Sequence, residues 1–278
     1  MGLIFSVIKR AARPYIAGTD LADALAVAEE ARTRGLAVTL CYWHDAEDPP
    51  TLAQARYSGL IEAIATAGLD AHLSMKVPAL HGGPELISEL MAEARAAGVP
   101  VDIDAHGPDQ AEADYAVAER LGGDGLGIAV PGRWAFAPAL ADRAIDLGLR
   151  VRVVKGQWAD PAAPDLDPAT GYLAVIDRLA GRVRAAGVAT HDPALAETAI
   201  RRLLEASTPV EQELLYGLPM QAPVAVARAL GVSTRVYIPF GTAWVPYSMR
   251  KAFTSPGTVS RFLRDLAHGR RDGLPKSA

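Results

Sequence analysis

The chain has 278 residues, half of them hydrophobic and 22% charged, enough for one large core and a length at which single α/β barrels are common. Its formal net charge of -4, with no basic block beyond the short Gly269-Arg-Arg-Asp stretch, argues against nucleic acid as a partner. Cys41 is the only cysteine, which excludes an intramolecular disulfide and a cysteine-rich zinc site and fits a reducing, cytoplasmic setting.

The start of the chain places Leu3, Ile4, Phe5 and Ile8 ahead of its first charges, the reverse of a secretory signal, and is too short to span a bilayer. Residues 1–18 are read as a helix or arm packed on the body; a peripheral membrane contact through those apolar residues is the lesser alternative. Next, Thr19-Asp-Leu-Ala-Asp opens an Ala-rich helix that stops at Gly35, and Leu36 to Tyr42 reads as a strand. The phrase then recurs. Helix Thr51 to Gly68 leads into strand Asp70 to Val77, Pro84 to Gly98 into Val101 to Ala105, and Asp109 to Gly122 into Gly125 to Val130. Phe136 to Gly148 leads into Leu149 to Lys155, Pro168 to Gly187 into Val188 to His191, Pro193 to Ala206 into Val210 to Tyr216, and Pro219 to Gly231 into a strand at Arg235. Eight helix–strand repeats with no long insertion predict a closed (β/α)8 barrel over residues 19–268, followed by a flexible basic tail, 269–278. The runner-up, an open doubly wound sheet, lacks a Gly-x-Gly-x-x-Gly turn after an early strand. The loop from Ala162 is read as a lid or an ordinary surface loop with equal weight.

In such a barrel the chemistry sits at the C-terminal strand ends. The polar residues there are Lys76, Asp104 and His106, then Arg152, Lys155, Gln157 and Trp158, then His191, Asp192, Glu211, Glu213 and Tyr237. Arg and Lys within apolar strands are costly to bury without partners, so their simplest use is to hold anions, with Asp104, Glu211 and Glu213 balancing the excess. A salt-bridge layer at the bottom of the barrel is the plainer alternative for Lys76 and Arg152. After the eighth strand, Pro246 suits a helix start, and Tyr247, Arg250 and Lys251 then share one face. A guanidinium and an ammonium beside a phenol form a clamp for a small carboxylate, and cations near a helix start oppose its dipole, a cost that calls for a reason.

Arg152-Val-Val-Lys-Gly156 resembles the Arg-Leu-Val-Lys-Gly segment of the proline dehydrogenase family. Tyr237-Ile-Pro-Phe-Gly followed by Tyr247-Ser-Met-Arg-Lys resembles its Tyr-x-Pro-x-Gly and Tyr-x-x-Arg-Arg. Met75-Lys-Val, Asp104-Ala, Ala189-Thr-His and Glu211-Gln-Glu-Leu-Leu-Tyr-Gly217 fall in the family's order, so the likeness runs from about Ser74 to Phe253. The resemblance implies FAD-dependent oxidation of L-proline, or a related cyclic or secondary amino acid, to a pyrroline-5-carboxylate type product, with a quinone as acceptor. It implies that Arg250, Lys251 and Lys76 hold the substrate carboxylate, that Tyr237 and Tyr247 wall the substrate, and that Asp104 orients the cations. Arg152 would lie at the isoalloxazine edge, Lys155 and Gly156 near the ribityl and phosphate groups, and Thr190 and His191 along the FAD tail. Gln157, Trp158 and Glu211 complete the expected cofactor contacts.

The departures from the family pattern are specific. Lys251 replaces an arginine, Gln157-Trp158 an Ala-Tyr, Pro131 a glutamine, His106 and Gly107 acidic residues, Thr254 a glutamate and Asp192 an asparagine. The alternatives are a barrel that has lost FAD and uses a metal, drawn from His44, His72, His106, His191, Asp104 and Asp192, or a non-catalytic small-carboxylate binder. No His-x-His or His-Glu-x-x-His pairing fixes two metal ligands in sequence.

Overall fold

A computed structural model of the chain describes residues 16–45, 47–81, 83–241 and 274–275. Most of the expected arm and tail, and the segment carrying Tyr247, Arg250 and Lys251, lie outside the described residues. Eight parallel strands close into a barrel in sequence order: β1 (Ala37–Trp43), β2 (Ala71–Met75), β3 (Val101–Ile103), β4 (Leu126–Pro131), β5 (Arg150–Val154), β6 (Ala186–Ala189), β7 (Val210–Leu215) and β8 (Thr234–Gly241). Closure is made by β1 on β8, in register from Ala37 opposite Arg235 to Trp43 opposite Gly241. Each strand follows a helix: α1 (Leu21–Thr33), α2 (Pro50–Ala67), α3 (Pro84–Ala97), α4 (Ala111–Leu121), α5 (Ala137–Asp146), α6 (Pro168–Leu179), α7 (Pro193–Glu205) and α8 (Gln221–Ala229).

Strand alternation divides the barrel into an apolar outside and a polar inside. Leu40, Leu73, Ile103, Val151, Val153, Val188 and Ile238 join Tyr57, Ile61, Leu90, Ala141, Ile176 and Ile200 of the helices in one continuous buried layer. Burying each large aliphatic side chain there contributes about 1.5–3 kcal/mol. The intervening strand positions carry Thr39, His72, Ser74, Asp102, Arg152, Glu213, Arg235 and Tyr237, all buried as well. An interior lined this way must pair its own charges.

The expected helix from Pro168 to Gly187 stops early. It opens as read, with Pro168 at the first turn and Asp167 accepting the Thr170 backbone N–H at 2.9 Å, but ends at Leu179. Ala180 turns extended, Gly181 adopts φ +72, and the Arg182 and Val183 amides both close on the Leu179 carbonyl. Gly181 donates its amide to Thr208 Oγ1 at 2.7 Å, which holds the turn. Gly187 therefore terminates nothing and lies within β6. Elsewhere β2 and β3 end sooner than read, so Lys76 and Asp104 immediately follow their last residues. The loop from Ala162 is fastened by an Arg133–Asp165 ion pair and by the Leu166 amide donating to the Arg133 carbonyl at 2.9 Å.

Candidate active site

Asp104, one residue past β3, gathers three donors at the C-terminal mouth. Lys76 Nζ stands 2.6 Å and Tyr237 Oη 2.9 Å from its Oδ2, and Arg152 donates to its Oδ1. Tyr237 Oη also lies 3.3 Å from Ser74 Oγ, and the Arg152 guanidinium sits 4.8 Å from the centre of the Tyr237 ring. The Lys76 backbone N–H donates to Tyr57 Oη at 3.1 Å, anchoring the base of the lysine between β2 and α2. Thus Lys76, Asp104, Arg152 and Tyr237, expected together from the sequence, do converge.

Burial works against the charge on Asp104, but the Lys76 ammonium and the Arg152 guanidinium overcome it and hold the carboxyl well below its usual range. Burial likewise disfavours charged Lys76, and Asp104 outweighs it, raising the ammonium's pKa. Lys76 is 14% exposed, and Asp104 is its one hydrogen-bond partner at Nζ among the described residues. An ammonium carries three donors, so two remain for a ligand. Around this centre lie half-buried His44 and His106, each with a buried Nδ1 that has no hydrogen-bond partner among the described residues. Burial and then the nearby Lys76 charge push His106 down to about 4, so its ring is neutral at physiological pH.

A second ionic layer lies toward the N-terminal strand ends, and it is built from other residues than Lys76 and Arg152. Arg150 reaches Asp102 at 3.1 Å, Glu211 at 2.5 Å and Glu213; Arg235 reaches Glu211 at 2.9 Å and Asp70 at 3.0 Å; His72 Nδ1 lies 2.9 Å from Asp102 Oδ2. Glu211, expected beside the cofactor residues, belongs here instead: as the second residue of β7 it neutralises Arg150 and Arg235 below the mouth. The sequence reading missed Asp102, Arg150 and Arg235. The available signal was the repeated spacing Asp102-Ile-Asp104, Arg150-Val-Arg152 and Glu211-Gln-Glu213 on alternate strands, which puts both members of each pair inside. Between these strands stand small residues. A Cβ on Gly127 of β4 would lie 2.0 Å from Asp102 Oδ1, and one on Gly187 of β6 would lie 2.0 Å from Glu213 Oε1. Across the interior, Lys76, Arg150, Arg152 and Arg235 match Asp102, Asp104, Glu211 and Glu213, so these eight groups balance.

The remaining expected cofactor residues line the ends of β5 and β6. Lys155 is half exposed, 3.8 Å from Asp192 Oδ2. Gly156 takes φ +88, and a Cβ there would lie 2.9 Å from both Arg133 and Pro131, so the turn needs glycine. Arg133 donates to the Gln157 carbonyl at 2.8 Å and Trp134 Nε1 to the Trp158 carbonyl at 2.8 Å, which fixes the backbone after Gly156. Thr190 is buried, its Oγ1 accepting from the Asp192 amide at 3.2 Å. His191 has both ring nitrogens engaged: Nδ1 lies 2.9 Å from the Pro219 carbonyl, and Nε2 accepts from the Leu215 amide at 2.9 Å. Its ring pins β6 to β7, and a tail contact there cannot use those nitrogens without breaking the bracket. Asp192 caps α7 through the Ala194 and Leu195 amides at 3.1 and 3.2 Å. Among the described residues no three His, Cys, Asp or Glu side chains group as metal ligands, and no helix is long and apolar enough to cross a membrane. Tyr247, Arg250 and Lys251 lie outside the described residues.

No family model matches the chain. Among curated proteins it is 25% identical over 277 residues to "Proline dehydrogenase 1" of Bacillus subtilis subsp. natto, covering 92% of this chain and 90% of that protein. It is 24% identical over 285 residues to "Proline dehydrogenase" of Deinococcus radiodurans, covering 93% and 90%. Among solved structures it superposes on proline utilization A (PutA) of Bdellovibrio bacteriovorus with a TM-score of 0.77 at 17% identity, over 90% of this chain and 33% of that one. The PutA of Corynebacterium freiburgense gives 0.72 at 16%, over 99% and 34%. The chain spans about a third of the length of these structures, and at such identities the likeness concerns the barrel fold.

Proposed function

We propose that the chain, a (β/α)8 barrel similar to the proline dehydrogenases, is a divergent oxidoreductase of that kind that oxidises proline or a closely related secondary amino acid to the cyclic imine, with FAD as the hydride acceptor. The observation that carries this reading is the convergence of Lys76, Arg152 and Tyr237 on the buried Asp104 carboxylate at the barrel mouth.

The reaction removes a hydride from the ring carbon beside the nitrogen and a proton from that nitrogen, which requires the substrate carboxylate to be fixed and the ring held flat. Lys76, aligned by Asp104, has two further N–H donors without a partner among the described residues, and Arg250 and Lys251, within ten residues of the end of β8 in sequence, would complete the carboxylate clamp. Tyr237 and Tyr247 wall the substrate. Because Asp104 stays ionised, the clamp keeps one charge state across the working pH range.

The donor set at β5 fits a flavin. Arg152 brings a buried, permanently charged guanidinium whose Nε lacks a hydrogen-bond partner among the described residues, and Lys155 sets a half-exposed ammonium at the end of the same strand. When bound, the flavin supplies a two-electron acceptor, and a cation beside its ring favours the reduced anion. Arg152 would take that place, Lys155 and the Gly156 turn the ribityl and phosphate region, with Thr190 at the tail. Asp192 competes with phosphate for Lys155, a cost in FAD affinity set by the chain itself. A quinone would then remove the electrons.

The test is the visible spectrum of the purified protein with FAD added. Flavin bands that bleach anaerobically with proline support the reading. Bands that bleach only with another secondary amine move the substrate, and a protein that takes up no FAD overturns the cofactor assignment.

A further inference from the structure

Glu213 belongs to β7, yet its carboxylate serves both arginines of β5. Oε1 accepts from Arg150 Nη2, while Oε2 lies 4.0 Å from Arg152 Nε, and neither Oε2 nor that Nε has a hydrogen-bond partner among the described residues. The carboxylate crosses the intervening β6 over Gly187, where a Cβ would lie 2.0 Å from Oε1 and 2.9 Å from Arg150 Nη2. The Glu213 side chain is 2% exposed and that of Arg152 7%, so almost no water screens the pair. As a counterion for Arg150 alone, Glu213 would be redundant in kind, because Asp102 and Glu211 already contact that guanidinium. What Glu213 adds is a second carboxylate beside Arg152, nearest Nε, while Asp104 accepts from Nη2.

We infer that Glu213 is a positioning residue that partly cancels the charge of Arg152 and thereby lowers the reduction potential of the flavin at the mouth. The inference rests on the flavin reading above. A cation near the ring favours the reduced anion, and a carboxylate held against that cation takes back part of the effect. Gly187 makes the arrangement possible, since any side chain there would push the carboxylate away from both arginines.

The experiment is a dye-equilibrated anaerobic titration of the FAD-loaded full chain, comparing wild type with Glu213→Gln, Glu213→Asp and Glu211→Gln. Glutamine keeps an acceptor for Arg150 and removes the charge; it is expected to shift the two-electron equilibrium about tenfold toward reduced flavin, about 30 mV. Aspartate keeps the charge but draws it back from Nε, and gives a smaller shift of the same sign. Glu211→Gln leaves both carboxylate neighbours of Arg152 in place and moves the potential least. A merely structural Glu213 would lower stability without moving the potential. Unchanged potentials in both Glu213 variants, a shift toward the oxidised form, or an equal shift in Glu211→Gln overturns the inference while leaving the flavin reading intact. Wild-type protein that takes up no FAD fails the earlier reading, and this inference falls with it.

Discussion

Arg152 and Tyr237 face each other across the barrel mouth, the guanidinium 4.8 Å from the ring centre, while both donate to the carboxylate of Asp104. The carboxylate thus fixes a cation and a phenol in one geometry and leaves Lys76 oriented beside them. Removing it strands two buried cations. Asp104→Ala is expected to lower stability by about 3–5 kcal/mol, as for one partner of a buried ion pair. Asp104→Asn, which keeps one acceptor, should cost less stability but still lower kcat/KM about a hundredfold, because Lys76 loses its alignment. Urea denaturation and steady-state kinetics on the two variants separate these effects; equal stability losses in both would show that the charge of Asp104 carries the whole effect and that the retained acceptor and shape add nothing.

The barrel was legible because its repeat is simple: eight helices closed by Gly or a short turn, each followed by a short apolar-alternating strand. The helix from Pro168 was overrun because Ala180-Gly181 is a weak stop in an Ala-rich stretch, whereas its true end depends on Thr208, distant in sequence, accepting the Gly181 amide. Lys76, Asp104, Arg152 and Tyr237 were legible as polar residues at strand ends. Glu211 was not, since its role depends on being two residues lower in β7 than Glu213, a difference of one pleat that only strand register fixes. His191 reads in sequence as a ligand-facing histidine, but both of its nitrogens are spent on backbone groups of neighbouring segments.

Small residues on β4 and β6 are as necessary to the interior as its charges. Gly127→Ala would place a methyl 2.0 Å from Asp102 Oδ1 and 3.3 Å from the Arg150 carbonyl. The side chain of Asp102 cannot retreat without releasing both Arg150 and His72. Overpacking alone costs roughly 1–3 kcal/mol. Gly127→Ala is therefore expected to lower the free energy of unfolding by at least that much, and the denaturation midpoint with it, and an Asp102→Asn background should recover part of the loss. A midpoint unchanged in the single variant would mean that the two arginine-bearing layers repack freely.

The carboxylate clamp makes a prediction for Arg250 and Lys251. A charge-assisted hydrogen bond to the substrate contributes about 1.5–3 kcal/mol, so Arg250→Ala should raise the substrate Kd by roughly 10- to 100-fold while flavin content stays constant. Lys251→Arg restores a planar fork where this chain has a point charge, and should tighten proline binding. If Arg250→Ala leaves Kd unchanged, the carboxylate is held elsewhere. If Lys251→Arg weakens proline but strengthens another secondary amino acid, the lysine is a specificity choice.

Asp114, on α4, tests the electrostatics behind the mouth through pH. Its side chain is buried, with Oδ1 unpartnered among the described residues, and burial, reinforced by the Asp104 charge, pushes its carboxyl up to about 7 from an ordinary 3.8. Between those values the folded chain holds a proton that the unfolded chain has released, so stability falls as pH rises from about 4 to 7 and is level above. The shift corresponds to about 4 kcal/mol at 1.36 kcal/mol per pKa unit. His106 acts in the opposite sense. Held at about 4 against an ordinary 6.5, it binds its proton more readily when unfolded, so stability rises with pH across that window by roughly 3 kcal/mol. The two slopes nearly cancel in the natural chain. Asp114→Asn removes one of them, so the variant should match the natural chain near pH 4, gain on it steadily, and exceed it by a few kcal/mol at pH 8. Denaturant midpoints at pH 4, 6 and 8 decide the matter, and a gap that does not widen with pH would mean that Asp114 ionises in the folded protein as easily as it does in water.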